Sequence, residues 1–340
     1  MQTVRLALIG FGNVGQGLAQ ILLERGNSYA EKQGLRFTIV AVNDLVRGCA
    51  FDPQGLDLTD LLQAKDFSSL PGGAADWDAL TTITRSNADV VVELSFTNLQ
   101  TGQPAINHIR TALENGKHVV TSNKGPIALQ YAELAELARS RNLQIGVEGT
   151  VMSGTPSLRL GMELLAGAGI RRVQGILNGT TNYILTQMES GASYPDALAE
   201  AQARGYAEAD PTGDVEGFDA AGKVVILSAL LMNTPLQLNQ VDRTGISGIT
   251  SADVAQAKAD GQRWKLIGSL EKKPDGIFAS VKPLRLPLEH PLANVNGATN
   301  AITFTTDLLG DVTLIGPGAG RAETGYAIIC DLISIYRPGH

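Results

Sequence analysis

Apolar residues in the first half of the chain come in short, β-branched runs: VRLALIG (4–10), FTIVAVN (37–43), ADVVVELS (88–95), KHVVTS (117–122) and LQIGVE (143–148). Most are apolar at consecutive positions rather than at alternate ones, which predicts strands buried on both faces, as in a parallel sheet. Between them, NVGQGLAQILLERG, TGQPAINHIRTALENG and GPIALQYAELAELARSR carry apolar residues at spacings of three and four, the pattern of helices that cover a sheet. The second of these ends in Asn-Gly and the third opens on Gly-Pro, both suitable helix boundaries. The alternation predicts an α/β fold with a doubly wound parallel sheet over residues 1–148.

After Glu148 the pattern changes. GTVMSGTP is a loop of small residues, and beyond it helical segments mix with β-like runs such as RRVQGILNG and IFASVKPLRLP. This predicts a second, α+β domain over 149–310. The end, DVTLIGPGAGRAETGYAIICDLISIY, reads as a strand, a glycine turn and an apolar helix, and 311–340 is expected to pack back on the first domain. One stretch stands apart. GYAEADPTGDVEGFDAAGKVVIL (205–227) sets Glu208, Asp210, Asp214, Glu216 and Asp219 among turn-forming Gly and Pro, then runs into an apolar segment containing Lys223.

Composition narrows the function classes. A length of 340 residues fits two domains at about 150 residues each. With 44% apolar and 18% charged residues, the chain is that of a soluble globular protein. A net charge of −7 and no basic run argue against nucleic acid as a partner. Apolar stretches such as Val224 to Met232 are shorter than the roughly 18 residues of a membrane span. The N-terminal apolar run passes straight into a glycine motif, with no cleavage region of a signal peptide. Two cysteines, Cys49 and Cys330, exclude a disulfide framework and suit a reducing cytoplasm, as packed thiols. The four histidines are scattered without zinc spacing, and His118 beside a predicted strand is expected to pack rather than react.

Gly10-Phe11-Gly12-Asn13-Val14-Gly15 matches G-x-G-x-x-G, directly after a strand and at the start of a helix. In a Rossmann-type domain the three glycines serve the tight turn, the approach to a pyrophosphate and the contact of helix with strand. The helix N-terminus adds amides and a positive dipole end. Asp44 ends the second strand, later than the usual ~20 residues because RGNSYAEKQGLR lengthens the first connection. A carboxylate there accepts from ribose hydroxyls and repels a 2′-phosphate, which favours NAD; Arg47 nearby is the feature that would admit NADP.

In the second domain, Asp219 and Lys223 are four apart and share a helix face, acid before base. Burial lowers a lysine pKa and the carboxylate raises it, a balance that holds an ammonium ready to give a proton. Taken alone, the pair is better read as a partly buried structural ion pair. Glu208 and Asp214 on the preceding loop favour a pocket for an amino group and a hydroxyl. The segment GYAEADPTGDVEGFDAAGK, with GILNGTTNYIL (175–185), VVTSNKGP (119–126) and GPGAGRAET (316–324) in the same order, resembles the homoserine dehydrogenase family from about residue 4 to 335. The length suggests a short form, without a regulatory or aspartate kinase domain.

The resemblance implies NAD(P)-dependent interconversion of L-homoserine and L-aspartate 4-semialdehyde, on the route to threonine, methionine and isoleucine. It implies Lys223 as proton donor, Glu208 at the substrate amino group, and Asp219 and Asp214 orienting lysine and substrate. Lys124 would lie near the nicotinamide, and Ser95 and Gly320 would touch the cofactor. Asn178, Gly179 and Thr180, in the turn that runs on through Thr181 and Asn182, would shape the pocket or simply cap a helix. A sodium ion bound by Glu148 and the carbonyls of Val151, Ser153 and Thr155 is also implied, as is a homodimer. Another amino-acid dehydrogenase on the same scaffold, for example one acting on aspartate, remains open, as more remotely does a non-catalytic dinucleotide sensor.

Overall fold

The computed structural model describes residues 1–70 and 76–337, which divide into two units, Met1–Gly154 with Gly320–His340, and Thr155–Ala319. In the first unit β1 (Gln2–Ile9), β2 (Leu35–Asp44), β3 (Gly48–Phe51), β4 (Val90–Glu93), β5 (His118–Thr121) and β6 (Ile145–Gly146) form one sheet in the order β3-β2-β1-β4-β5-β6. All neighbours are parallel except β2 and β3. The helices are α1 (Asn13–Gln33), α2 (Leu58–Gln63), α3 (Ala79–Arg85), α4 (Ala105–Glu114), α5 (Lys124–Ser140) and a C-terminal helix (Arg321–Tyr336).

The consecutive apolar positions of the strands have a direct use. Val90 and Val92 join Leu6, Leu8, Leu18, Ile328 and Leu332 in one core, while Val91 joins Ile109, Leu113, Val119 and Leu134 in another. Each such side chain contributes about 1.5–3 kcal/mol by leaving water. The C-terminal helix meets α1 backbone to backbone, since a Cβ on Gly17 would lie 2.0 Å from the Arg321 carbonyl oxygen. The fifth predicted strand shortens to Ile145–Gly146 because Glu148–Thr150 turns into a 3-10 helix.

The second unit begins with α6 (Ser157–Arg159), a single turn that runs into a π-helical turn at Leu160–Leu164. Then follow β7 (Ile170–Ile176), α7 (Gly179–Glu189), α8 (Tyr194–Ala203), α9 (Thr212–Val215), α10 (Phe218–Leu231), β8 (Asp242–Arg243), α11 (Ser251–Ala259), β9 (Gln262–Lys273), β10 (Gly276–Pro287), β11 (Thr299–Thr306) and β12 (Gly310–Pro317). The strands make a sheet in the order β12-β11-β7-β9-β10-β8, antiparallel except where β8 meets β10. Helix α10 lies close on β9, where a Cβ on Gly268 would come 3.0 Å from Val224 Cγ2.

Two boundaries differ from those read in the sequence. The first unit runs on to Gly154, because the loop after β6 is tied into it. The Glu148 amide donates to Asp331 Oδ2 at 3.0 Å, and Ser153 Oγ lies 2.7 Å from Thr324 Oγ1. The segment 311–340 is divided. Strand β12 pairs along its whole length with β11, from Thr299↔Pro317 to Thr306↔Gly310, so a hairpin keeps it in the second unit. The first unit resumes at Gly320. Among the described residues no helix is long and apolar enough to cross a membrane.

Candidate functional site

Each unit contains a cluster of polar groups at positions singled out in the sequence. In the first, the strand order reverses between β1 and β4, whose last residues, Ile9 and Glu93, are paired. This is the place where open α/β sheets bind ligands. Gly10 has φ +97° and a Cβ there would fall 2.5 Å from the Leu94 carbonyl oxygen, so the turn needs glycine. At Gly12 a Cβ would meet nothing within 4 Å. Packing does not demand that glycine; it leaves the backbone at the N-cap of α1 open to an anion. Asn13 is exposed, Val14 is half-buried and Gly15 is buried. The Phe11 ring belongs to the core, edge-on to Phe67 at 5.6 Å, so only its backbone is left to the loop.

Asp44 holds that loop. Its Oδ2 accepts from the Phe11 amide at 2.8 Å, and its Oδ1 accepts from the amides of Val46 and Arg47 at 3.0 and 3.1 Å. Burial raises its pKa, but these three amides and the Arg47 charge outweigh burial and hold it below the ordinary carboxylate value. The Arg47 guanidinium lies 5.6 Å from the Phe11 ring centroid and donates to the Ala64 carbonyl at 3.2 Å.

At the end of β4, Glu93 is fully buried. It accepts from the Ser95 amide at 3.2 Å, from Ser95 Oγ and from Thr121 Oγ1 at 3.4 Å, and it faces His108 Nδ1 at 3.2 Å. Asn123 caps α5 and donates to the carbonyls of Ser95 and Phe96 at 3.0 and 3.1 Å. Lys124 therefore becomes the first residue of α5, half-buried, a cation at the positive end of a helix. That placement is electrostatically unfavourable for the helix itself. The sequence reading missed Glu93, His108 and Asn123; the available signal was an acid inside the apolar run VVVEL. Gly320, exposed, is the N-cap of the C-terminal helix, and the Glu323 carboxylate lies against it.

The second cluster is built by α7 and α10. Lys223 is 6% exposed on α10. Its Nζ donates to the Leu177 carbonyl at 2.6 Å and to Asp219 Oδ2 at 2.8 Å. Asn178 Nδ2 donates to Asp214 Oδ1 at 2.7 Å and Asp219 Oδ2 at 3.1 Å, while Asn178 Oδ1 accepts from the Thr181 amide at 2.9 Å. One side chain thus caps α7 and bridges two acids. Burial is the main cause that raises the Asp214 pKa, with the Asp219 charge adding to it and Asn178 and Lys223 opposing. Thr180 Oγ1 donates to the Tyr206 carbonyl at 2.5 Å.

The five acids of this stretch do not all converge. Asp214 and Asp219 join the lysine; Glu208 is exposed. Asp210 accepts from the Thr212 amide at 3.1 Å, and Glu216 accepts from Ser247 Oγ at 2.6 Å. Asp210 and Glu216 are thus held by groups outside the lysine cluster. His118 accepts from the Gln144 amide at 3.1 Å and stacks edge-on to Tyr336, and Cys49 is buried beside Thr82.

Of the residues proposed for a cation, Glu148 and Val151 are 3% and 1% exposed and Ser153 has φ +53°. The Thr155 carbonyl accepts from the Ser157 amide at 2.7 Å. Carboxylate and carbonyl oxygens suit a hard ion.

Residues 10–148 match the family model of the homoserine dehydrogenase NAD-binding domain, and residues 156–333 match the homoserine dehydrogenase family model. An NAD(+)-dependent homoserine dehydrogenase of Pseudomonas canavaninivorans is 47% identical over 99% of this chain and 97% of its own. A homoserine dehydrogenase of Methanocaldococcus jannaschii is 41% identical over 97% of this chain and 98% of its own. The solved structure of a hyperthermophilic archaeal homoserine dehydrogenase in complex with NADPH superposes with a TM-score of 0.84 at 30% identity, covering 98% of each chain.

Proposed function

The chain belongs to the homoserine dehydrogenase family, and from that premise we propose that Lys223 is the acid–base group of its reaction. The reaction is the NAD(P)-dependent interconversion of L-homoserine and L-aspartate 4-semialdehyde, a step of amino-acid biosynthesis. The observation that carries the assignment is the lysine's hydrogen bonding. An ammonium has three donors. Two are fixed, on Leu177 and Asp219, which leaves the third for a substrate oxygen.

The nicotinamide supplies or accepts the hydride when bound. As the aldehyde is reduced, charge builds on its oxygen; the Lys223 ammonium stabilises it and then gives up a proton. In the oxidation of homoserine the same nitrogen, unprotonated, takes the hydroxyl proton. Asp219 keeps the amine aimed, and Asn178 holds Asp219 against Asp214. Glu208, exposed on its loop, binds the substrate amino group, with Gly179 and Thr180 completing the wall. In the first unit, the Gly10–Gly15 turn and the N-terminus of α1 receive the pyrophosphate, Ser95 and Gly320 line the cofactor, and Lys124 assists its placement.

NAD is the preferred carrier. A carboxylate at Asp44, the end of β2, would repel a 2′-phosphate, and the Arg47 guanidinium donates to the Ala64 carbonyl. The NAD(+) dependence of the 47% identical relative supports this. Homoserine-dependent reduction of NAD and NADP, run side by side with a panel of amino acids, tests both statements. Higher kcat/KM with NAD is expected, and Asp44→Ser should narrow the ratio. No homoserine turnover with either cofactor would overturn the reading.

Glu148 and the carbonyls of Val151, Ser153 and Thr155 are assigned to a sodium ion, to be checked by replacing sodium with a bulky organic cation in the assay. The protein is assigned as a cytoplasmic homodimer, to be checked by light scattering. Phe278 and Ile315, which the strand register puts on one face of the second sheet, are 49% and 54% exposed and support an apolar contact there.

A further inference from the structure

Asn300, on β11, is 0% exposed, yet among the described residues neither Nδ2 nor Oδ1 of its side chain has a hydrogen-bond partner. A primary amide buried without a protein partner gives up stability that an apolar side chain of like size would keep. Positions where local stability is given up are expected to serve function.

The surroundings say which function. Two glycine backbones enclose the amide. A Cβ on Gly318 would lie 2.0 Å from Asn300 Nδ2, and a Cβ on Gly179 would meet Asn300 Oδ1 at 3.4 Å. Gly179 is the first residue of α7, so the amide oxygen packs beside the first turn of that helix. Its chain neighbour is Asn178, which bridges Asp214 and Asp219. Gly318 follows Pro317, whose carbonyl accepts from Thr155 Oγ1 at 2.9 Å. The amide is thus a spacer packed between the turn that aims the acids and the turn that ends β12.

We infer that Asn300 is a positioning residue for the dehydrogenase reaction. It fixes the Asn178–Gly179 turn, and through that turn the Asp219–Lys223 pair, and it does so at a cost in stability. The inference rests on Lys223 as the acid–base group assigned above.

Asn300→Leu, of similar size, separates this from a packing role. The variant is expected to melt at or above the wild-type temperature. Its kcat should fall about 10-fold or more, as displaced catalytic groups do. KM for the dinucleotide should stay within about twofold, and the pH profile of kcat should shift because the lysine's neighbours have moved. A kcat within about twofold of wild type would overturn the inference, as would a loss of kcat that only follows a fall in Tm. If Asn300→Leu does not fold, Asn300→Ala is read by the same criteria; failure of both to fold means a structural role and also overturns it. Normal turnover in Lys223→Ala would remove the lysine assignment, whereas normal turnover in Asn300→Leu beside an inactive Lys223→Ala would remove this inference alone.

Discussion

Asp214 and Asp219 have the same side chain and the same Asn178 donor, but they meet Lys223 differently. Asp219 accepts from the lysine at 2.8 Å. Asp214 is pushed above its ordinary pKa of 3.8, first by burial. A folded-state pKa above the unfolded one means that the native protein keeps the proton to higher pH. The stability that this group adds is complete below the ordinary carboxylate range and is lost as pH rises through the raised value. Asp214→Asn abolishes that loss. Its Tm should exceed the wild-type value at neutral pH, and the gap should close toward roughly pH 4, while turnover drops because the pocket loses an acid. Melting curves across this range check it; a gap independent of pH would show that Asp214 is not the titrating group.

Helix α7 makes the same point one level up. Asn178 is its N-cap through the Thr181 amide and the bridge between Asp214 and Asp219, so a helix terminus and the proposed active-site cluster share one residue. Asn178→Ser keeps a capping oxygen and should melt near wild type, whereas Asn178→Ala should lose about 1 kcal/mol of stability. Both should lose turnover, because neither spans the two acids. Retained activity in Asn178→Ser would deny the bridge a role. The elements themselves were largely legible. Runs such as VVVEL are apolar at successive positions because both faces of their strands are buried, and the four-residue spacing of Asp219 and Lys223 places them on one face of α10. What could not be read were partners from distant elements. Glu93 finds His108 and Thr121, and fully buried Lys265, its pKa lowered to about 8 by burial, finds Asn182 and the Val295 carbonyl. Local pattern also gave no sign that β12 would stay with β11, nor that Asp210 and Glu216 would be held by Thr212 and Ser247; turn geometry and strand pairing decide those.

Across the whole molecule, one unit is organised around a glycine turn at the reversal of a parallel sheet and the other around a buried lysine bridged to acids. The first matches an NAD-binding domain, and the proposed role of the second is to move a proton. Binding and chemistry should therefore be separable by mutation: damage to the α10 cluster should leave the dinucleotide affinity untouched. The decisive measurement is on Lys223→Ala, with homoserine turnover and dinucleotide Kd determined on the same preparation. Turnover is expected to fall by about 10²-fold or more with Kd unchanged. Near-normal turnover, or a loss of turnover explained by lost dinucleotide binding, would contradict the assignment of this lysine as the group that moves the proton.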